Sequence, residues 1–205
     1  MNQSPAQQSV DRGAAPGSSH LAICAATDIG TSRPSNQDTF VIADLRSGDL
    51  SNPCARTDIP LSAAGVLLLV CDGMGGAAAG DLAAKIAAES IKHQLVGAGP
   101  AVNDRPDQSL TDAVRDANGA VLAEAELQAL GTRSTIEPII SDMPLRHGDR
   151  ILVCSDGLHG SIPDHKIAEI LSAATDINDC ARTLIRAALA AGGPDNVTVI
   201  VADCG

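Results

Sequence analysis

Four aspartates in this 205-residue chain stand beside apolar runs of strand length. Leu67-Leu68-Leu69-Val70-Cys71 runs into Asp72-Gly73-Met74-Gly75-Gly76, and Ile151-Leu152-Val153-Cys154 runs into Ser155-Asp156-Gly157-Leu158. A continuous apolar run closed by a glycine-bearing turn reads as a buried strand that ends in a sharp bend. Asp38 precedes Thr39-Phe40-Val41-Ile42-Ala43, and Asp195 precedes Val197-Thr198-Val199-Ile200-Val201. If these four ends meet at one edge of a sheet, four carboxylates converge. Like charges so placed raise one another's pKa values unless a cation neutralises them. An all-oxygen donor set selects hard ions such as Mg²⁺ or Mn²⁺. The chemistry implied is metal-dependent hydrolysis.

Each residue also has a plainer reading. A single aspartate at a strand end is most often a solvated turn residue; four of them, two in matching bends, are less easily explained that way. Arg33 lies just ahead of Asn36 and Asp38, where a guanidinium could grip two phosphate oxygens; alone it would read as a surface arginine. Asn36 could brace a local turn or orient a neighbouring carboxylate. The run Gly73-Met74-Gly75-Gly76-Ala77-Ala78 also fits a dinucleotide-binding G-x-G-x-x-A turn. Against that, Asp72 would set a negative charge beside the pyrophosphate, and the acidic residue expected about twenty positions on is replaced by His93-Gln94 inside a helix. No P-loop, G-x-S-x-G elbow or EF-hand loop is present.

The elements that must position these residues follow from pattern. Residues 1–19, rich in Gln, Ser, Pro, Gly and Ala, read as a disordered polar tail. One domain over 20–205 suits the length. Strands are expected at 21–26, 39–44, 66–71, 150–154 and 197–203, with 137–143 pairing with 150–154 through a turn at His147-Gly148-Asp149. Residues 46–62 read as a polar loop. Apolar spacing predicts helices from Gly80, from about Leu110, over 164–173 and over 177–190. Irregular alternation of strands and helices is an α+β pattern.

Composition narrows the function classes. With 14 Lys and Arg against 25 Asp and Glu, the net charge is -11, which opposes nonspecific binding to nucleic acid or anionic membrane. No apolar run approaches membrane-spanning length, and no secretory signal opens the chain. None of the six cysteines forms a C-x-x-C pair; Cys71 and Cys154 are expected as small buried core residues. A reducing cytoplasm is the simplest compartment. With one Phe and no Trp or Tyr, the core must be aliphatic.

Four ordered segments resemble the metal-dependent protein phosphatase family, the PPM or PP2C-type serine/threonine phosphatases, in bacterial form. Asp28-Ile29-Gly30-Thr31-Ser32-Arg33-Pro34-Ser35-Asn36-Gln37-Asp38 is similar to the family's opening motif, with Gln in the place often held by Glu. Val70-Cys71-Asp72-Gly73-Met74-Gly75-Gly76 resembles its central motif. Gly148-Asp149-Arg150 through Ser155-Asp156-Gly157-Leu158 resembles a third, and Gly192-Gly193-Pro194-Asp195-Asn196-Val197-Thr198 the closing one. The resemblance implies two antiparallel sheets flanked by helices, with two Mn²⁺ or Mg²⁺ ions at one edge. It implies that Asp72 bridges both ions, that the Gly73 carbonyl ligates one, that Asp156 and Asp195 complete the other, and that Asp38 assists. Arg33 would hold the phosphate of a phosphorylated protein while a metal-activated water attacks phosphorus in line.

The chain departs from the family in two places. Ala77 stands where His is frequent. A middle block, including a Gly-Thr-Thr strand and a Gly-Asp-Ser-Arg strand, is missing near Glu126/Leu127, so central strands of the sheets are expected to be absent. Two function readings follow: an active phosphatase shortened in its middle, or a catalytically inactive pseudophosphatase or truncated relic acting by binding. Oligomeric state is not indicated.

Overall fold

The computed structural model describes residues 20–49, 55–74, 77–98, 101–127 and 136–205. The expected tail at 1–19, Cys54, Gly75-Gly76 and most of the stretch after the Glu126/Leu127 junction lie outside the described residues. The chain opens with β1 (His20–Asp28), β2 (Thr39–Asp44), β3 (Gly48–Asp49), β4 (Thr57–Pro60) and β5 (Val66–Cys71). Helices α1 (Ala77–Ala98), α2 (Ala101–Asp104) and α3 (Pro106–Leu127) follow. Then come β6 (Arg150–Cys154), α4 (Asp156–His159), α5 (Asp164–Ala173), α6 (Ile177–Ala190) and β7 (Val197–Cys204).

The strands form two antiparallel sheets, ordered β4-β1-β7-β6 and β3-β2-β5. Alternation sorts the side chains into layers. On the first sheet Leu21, Ile23, Ala25, Ile200, Ala202, Ile151 and Val153 face Phe40, Ile42, Val66, Leu68 and Val70 of the second. The opposite face of the first sheet, with Cys24, Leu152, Cys154, Val197, Val199 and Val201, packs under α4, α5 and α6. On the second sheet Val41, Ala43, Leu67, Leu69 and Cys71 turn outward; Ala88 packs with them, and Ile91 and Leu95 of α1 join Ala113 and Ala117 of α3 beside Leu67 and Leu69. The result is the expected α+β sandwich: two sheets face to face with helices on both outer sides. No described helix is long and apolar enough to cross a membrane.

Helix α6 starts at Asp176, whose carboxylate accepts the amides of Asn178 and Asp179, and its apolar stripe Ile177, Cys180, Ala181, Leu184, Ile185 and Ala188 is buried.

Three expectations are corrected. Residues 137–143 form no strand. Pro138 and Pro144 remove backbone donors from that segment. The turn that follows is tied to the end of β7, where the Gly148 amide donates to the Cys204 carbonyl at 2.7 Å and the Cys204 amide to the Asp149 carbonyl at 2.8 Å. Ile139 is left 96% exposed. The expected loop at 46–62 contains β3 and β4. Strand β4 escapes pattern reading because Ile59 is its sole core residue, inserted against β1 through the pairing Leu21↔Ile59. Cys71 and Cys154 are half-buried rather than buried. They face opposite helix layers, so no bond between them is favoured by this packing.

Candidate active site

The sheet registers bring the chemistry-bearing ends together. In the second sheet Thr39 pairs with Cys71, so Asp38 and Asp72 are neighbours at the same end. In the first sheet Cys154 pairs with Val199 and Asp28 with Val197, which sets Ser155-Asp156, Asp195-Asn196 and the end of β1 side by side. Residues 29–38 cross from one sheet to the other at this end and carry Arg33. Asp28 starts that crossing by accepting the Gly30 amide at 2.8 Å. Gly30 has a φ of +77°, and a Cβ there would stand 2.1 Å from the Asp195 carbonyl oxygen, so glycine alone fits.

A cleft of about 230 Å³ opens between the ends, lined by Arg33, Gln37, Asp72, Gly73, Met74, Asp156 and Asp195. The Asp72 and Asp156 carboxylates line the same cleft, and the charge of Asp156 acts on Asp72. Arg33 Nη2 donates to Asp195 Oδ2 at 2.6 Å. Gly73 is wedged between α1 and the opening loop: a Cβ there would meet the Gly80 carbonyl at 2.5 Å and the Gln37 carbonyl at 2.6 Å. Asp38 is 9% exposed and sits behind the lining. Its Oδ2 accepts from Ser155 Oγ at 2.7 Å, while Oδ1 is buried with no hydrogen-bond partner among the described residues.

The electrostatics are those of crowded carboxylates. Desolvation, followed by the charges of Asp38 and Asp156, pushes Asp72 up to about 6. Burial raises Asp38 against the opposing hydrogen bond from Ser155. Asp195 alone moves the other way, held below the usual carboxylate range by its bond to Arg33.

Do these residues suit divalent cations? The donors are all oxygen, which matches hard ions. An orphaned buried carboxylate oxygen on Asp38 and a raised Asp72 both mark negative charge that lacks a counter-ion. Among the described residues, no trio of Asp, Glu, His or Cys closes into a ready-made metal cluster. Arg33 holds Asp195 to itself, and the like-charged carboxylates repel one another. The donor set suits hard divalent cations.

Thus the structure brings Arg33, Asp72, Gly73, Asp156 and Asp195 onto one cleft, with Asp38 directly behind it. Asn36 braces the turn as its spacing suggested: Oδ1 accepts the Asp38 amide at 3.1 Å and Nδ2 donates to Thr27 Oγ1 at 2.8 Å. Two residues escaped sequence reading. Ser155 aims Asp38 while its Oγ accepts the Thr198 amide at 3.0 Å. Asn196 bonds across to the opening loop. The only local hint was that each adjoins a strand-end aspartate.

No protein-family profile matches the chain. It is 46% identical over 72 residues to the serine/threonine protein phosphatase PstP of Mycobacterium tuberculosis, covering 35% of this chain and 14% of that protein. It is 34% identical over 101 residues to protein phosphatase PhpP of Streptococcus pneumoniae, covering 45% of this chain and 41% of that one. The matched stretches therefore span less than half of either relative. In structure it is similar to the catalytic domain of the serine/threonine protein phosphatase PstP solved in complex with two manganese ions, with a TM-score of 0.67 and 24% identity over 91% of this chain and 99% of that domain. The fold is that of the PP2C-type phosphatases, and the curated relatives are serine/threonine phosphatases of that type.

Proposed function

We propose that this chain is a metal-dependent protein serine/threonine phosphatase that hydrolyses phosphoserine and phosphothreonine on proteins. The observation that carries the proposal is the convergence of Asp72, Asp156 and Asp195, backed by Asp38, on a cleft that Arg33 also lines. Asp72 would hold both of two divalent cations, the Gly73 carbonyl one of them, and Asp156 and Asp195 the other, with Asp38 supporting from behind. Two manganese ions are bound by the similar PstP domain; Mn²⁺ or Mg²⁺ suits the same oxygen donors here. When bound, the cations supply a water of lowered pKa and shield the negative charge of the phosphate.

The protein's own part is positioning. Arg33 is exposed at the cleft mouth and presents a planar fork suited to two phosphate oxygens. Here it pairs with Asp195; a cation held by Asp195 would compete for that carboxylate and would leave the guanidinium available to a phosphate. Ser155 and Asn36 hold Asp38 from both sides, and Gly73 lets the Asp72 bend sit tight against α1. The domain we assign spans 20–205, shortened near Glu126/Leu127; the edge positions of β5 and β6 among the described strands support that reading.

The test is turnover of p-nitrophenyl phosphate and of a phosphothreonine peptide by folded protein, with Mn²⁺ and with excess EDTA. Hydrolysis of both, dependent on Mn²⁺, is expected. Equal rates in EDTA, or no turnover with Mn²⁺, would overturn the proposal.

A further inference from the structure

Asn196 is 4% exposed and lies outside the cleft lining, yet its side chain meets the opening loop at three points. Nδ2 donates to the Ile29 carbonyl at 2.9 Å and to the Ser35 carbonyl at 3.0 Å. Oδ1 accepts the Gln37 amide at 2.8 Å. These contacts flank Arg33 on both sides and end one residue before Asp38. The Asn196 amide in turn donates to Asp195 Oδ1 at 2.8 Å. Its carbonyl is packed against Gly157, where a Cβ would stand only 1.9 Å away, so the backbone has no room to drift from Asp156. A carboxamide with two donors and an acceptor satisfies all three loop groups; Asp lacks the donors and Leu lacks everything.

We infer that Asn196 is a positioning residue that locks the Arg33–Asp38 loop to the Asp156–Asp195 edge, and so couples phosphate grip to cation binding. The inference rests on the phosphatase reading above. Loss of the side chain frees the loop that carries both the phosphate-binding arginine and the buried carboxylate. Substrate and cation affinity therefore fall together, while the remaining ligands still act once both sites are saturated.

The experiment compares Asn196→Ala and the gentler Asn196→Ser with wild type, each first shown to be folded by circular dichroism. Mn²⁺ binding is read by titration calorimetry, and p-nitrophenyl phosphate kinetics at saturating Mn²⁺. For Asn196→Ala, KM and the Mn²⁺ dissociation constant should each rise about tenfold, the effect of one to two net hydrogen bonds, with kcat within about threefold. The KM rise should vanish on an Arg33→Ala background, because the lost bonds act through Arg33. A lower melting temperature with unchanged KM and Mn²⁺ affinity would overturn the inference and leave the phosphatase reading intact. Absence of Mn²⁺-dependent turnover in wild type would remove the reading itself, and the inference with it. Amide exchange needs no variant: the Gln37 amide should exchange more slowly with Mn²⁺ than without, and equal exchange would also overturn the coupling.

Discussion

Asp72→Asn should abolish hydrolysis and yet stabilise the metal-free protein. Asp72 is pushed from 3.8 to about 6 by desolvation and by the charges of Asp38 and Asp156. At 1.36 kcal/mol per pH unit, ionising it in the fold is bounded at about 3 kcal/mol. The side chain is exposed at the cleft, so water screens much of this, and about 1 kcal/mol is the expected share. A group whose folded pKa lies above its unfolded one stabilises fully below about pH 3.8, and that contribution is lost as pH rises through about 6. Metal-free wild type should therefore lose stability between about pH 4 and 6, and Asp72→Asn should lack that part of the slope. In EDTA at about pH 7.5 the variant should melt about 2–4 °C higher, with the gap shrinking as pH falls through about 6 toward about 4. Adding Mn²⁺ should reverse the order, because only wild type gains binding free energy. Thermal melts followed by circular dichroism, with and without Mn²⁺, measure each arm. A variant that melts at or below wild type in EDTA at about pH 7.5 would show that Asp72 carries no uncompensated charge.

Arg33→Ala should lower kcat/KM about ten- to a hundredfold, the value of a charge-assisted bond to phosphate, with Mn²⁺ affinity less affected; an unchanged kcat/KM would assign Arg33 to the surface. Arg150 donates to both oxygens of Asp203, at 2.5 and 2.8 Å, and to the carbonyls of Leu171 and Ala174 at the end of α5. Arg150→Ala should cost about 2–3 kcal/mol, read as a drop of about 4–12 °C in melting temperature with the KM of the folded enzyme intact. All six residues of β5 and all five of β6 are half-buried at sheet edges, and each aliphatic side chain left partly exposed forfeits up to about 1.5–3 kcal/mol. Low stability or dimerisation should result, and a cooperative melt above about 65 °C in a monomer would contradict this.

The amino-acid sequence by itself determined which residue types could do the chemistry and which strands end at them. Strands Val66–Cys71 and Arg150–Cys154 and helices Asp164–Ala173 and Ile177–Ala190 match their expected ranges, because burial on a sheet face or helix stripe leaves a periodic apolar pattern. Strand β4 left no such pattern, since a single isoleucine anchors it. The segment at 137–143 carried a strand-like pattern together with Pro138, and the outer edge of β6, its expected partner, has no neighbour among the described strands. The convergence of the four aspartates was stated from the sequence as a condition; the pairings Thr39↔Cys71 and Cys154↔Val199 decided it. So too with the hold of Arg33 on Asp195, of Ser155 on Asp38 and of Asn196 on the opening loop. Each joins residues more than a hundred positions apart, and a side chain's partner across such a distance is set by sheet register and backbone packing, which no local pattern encodes.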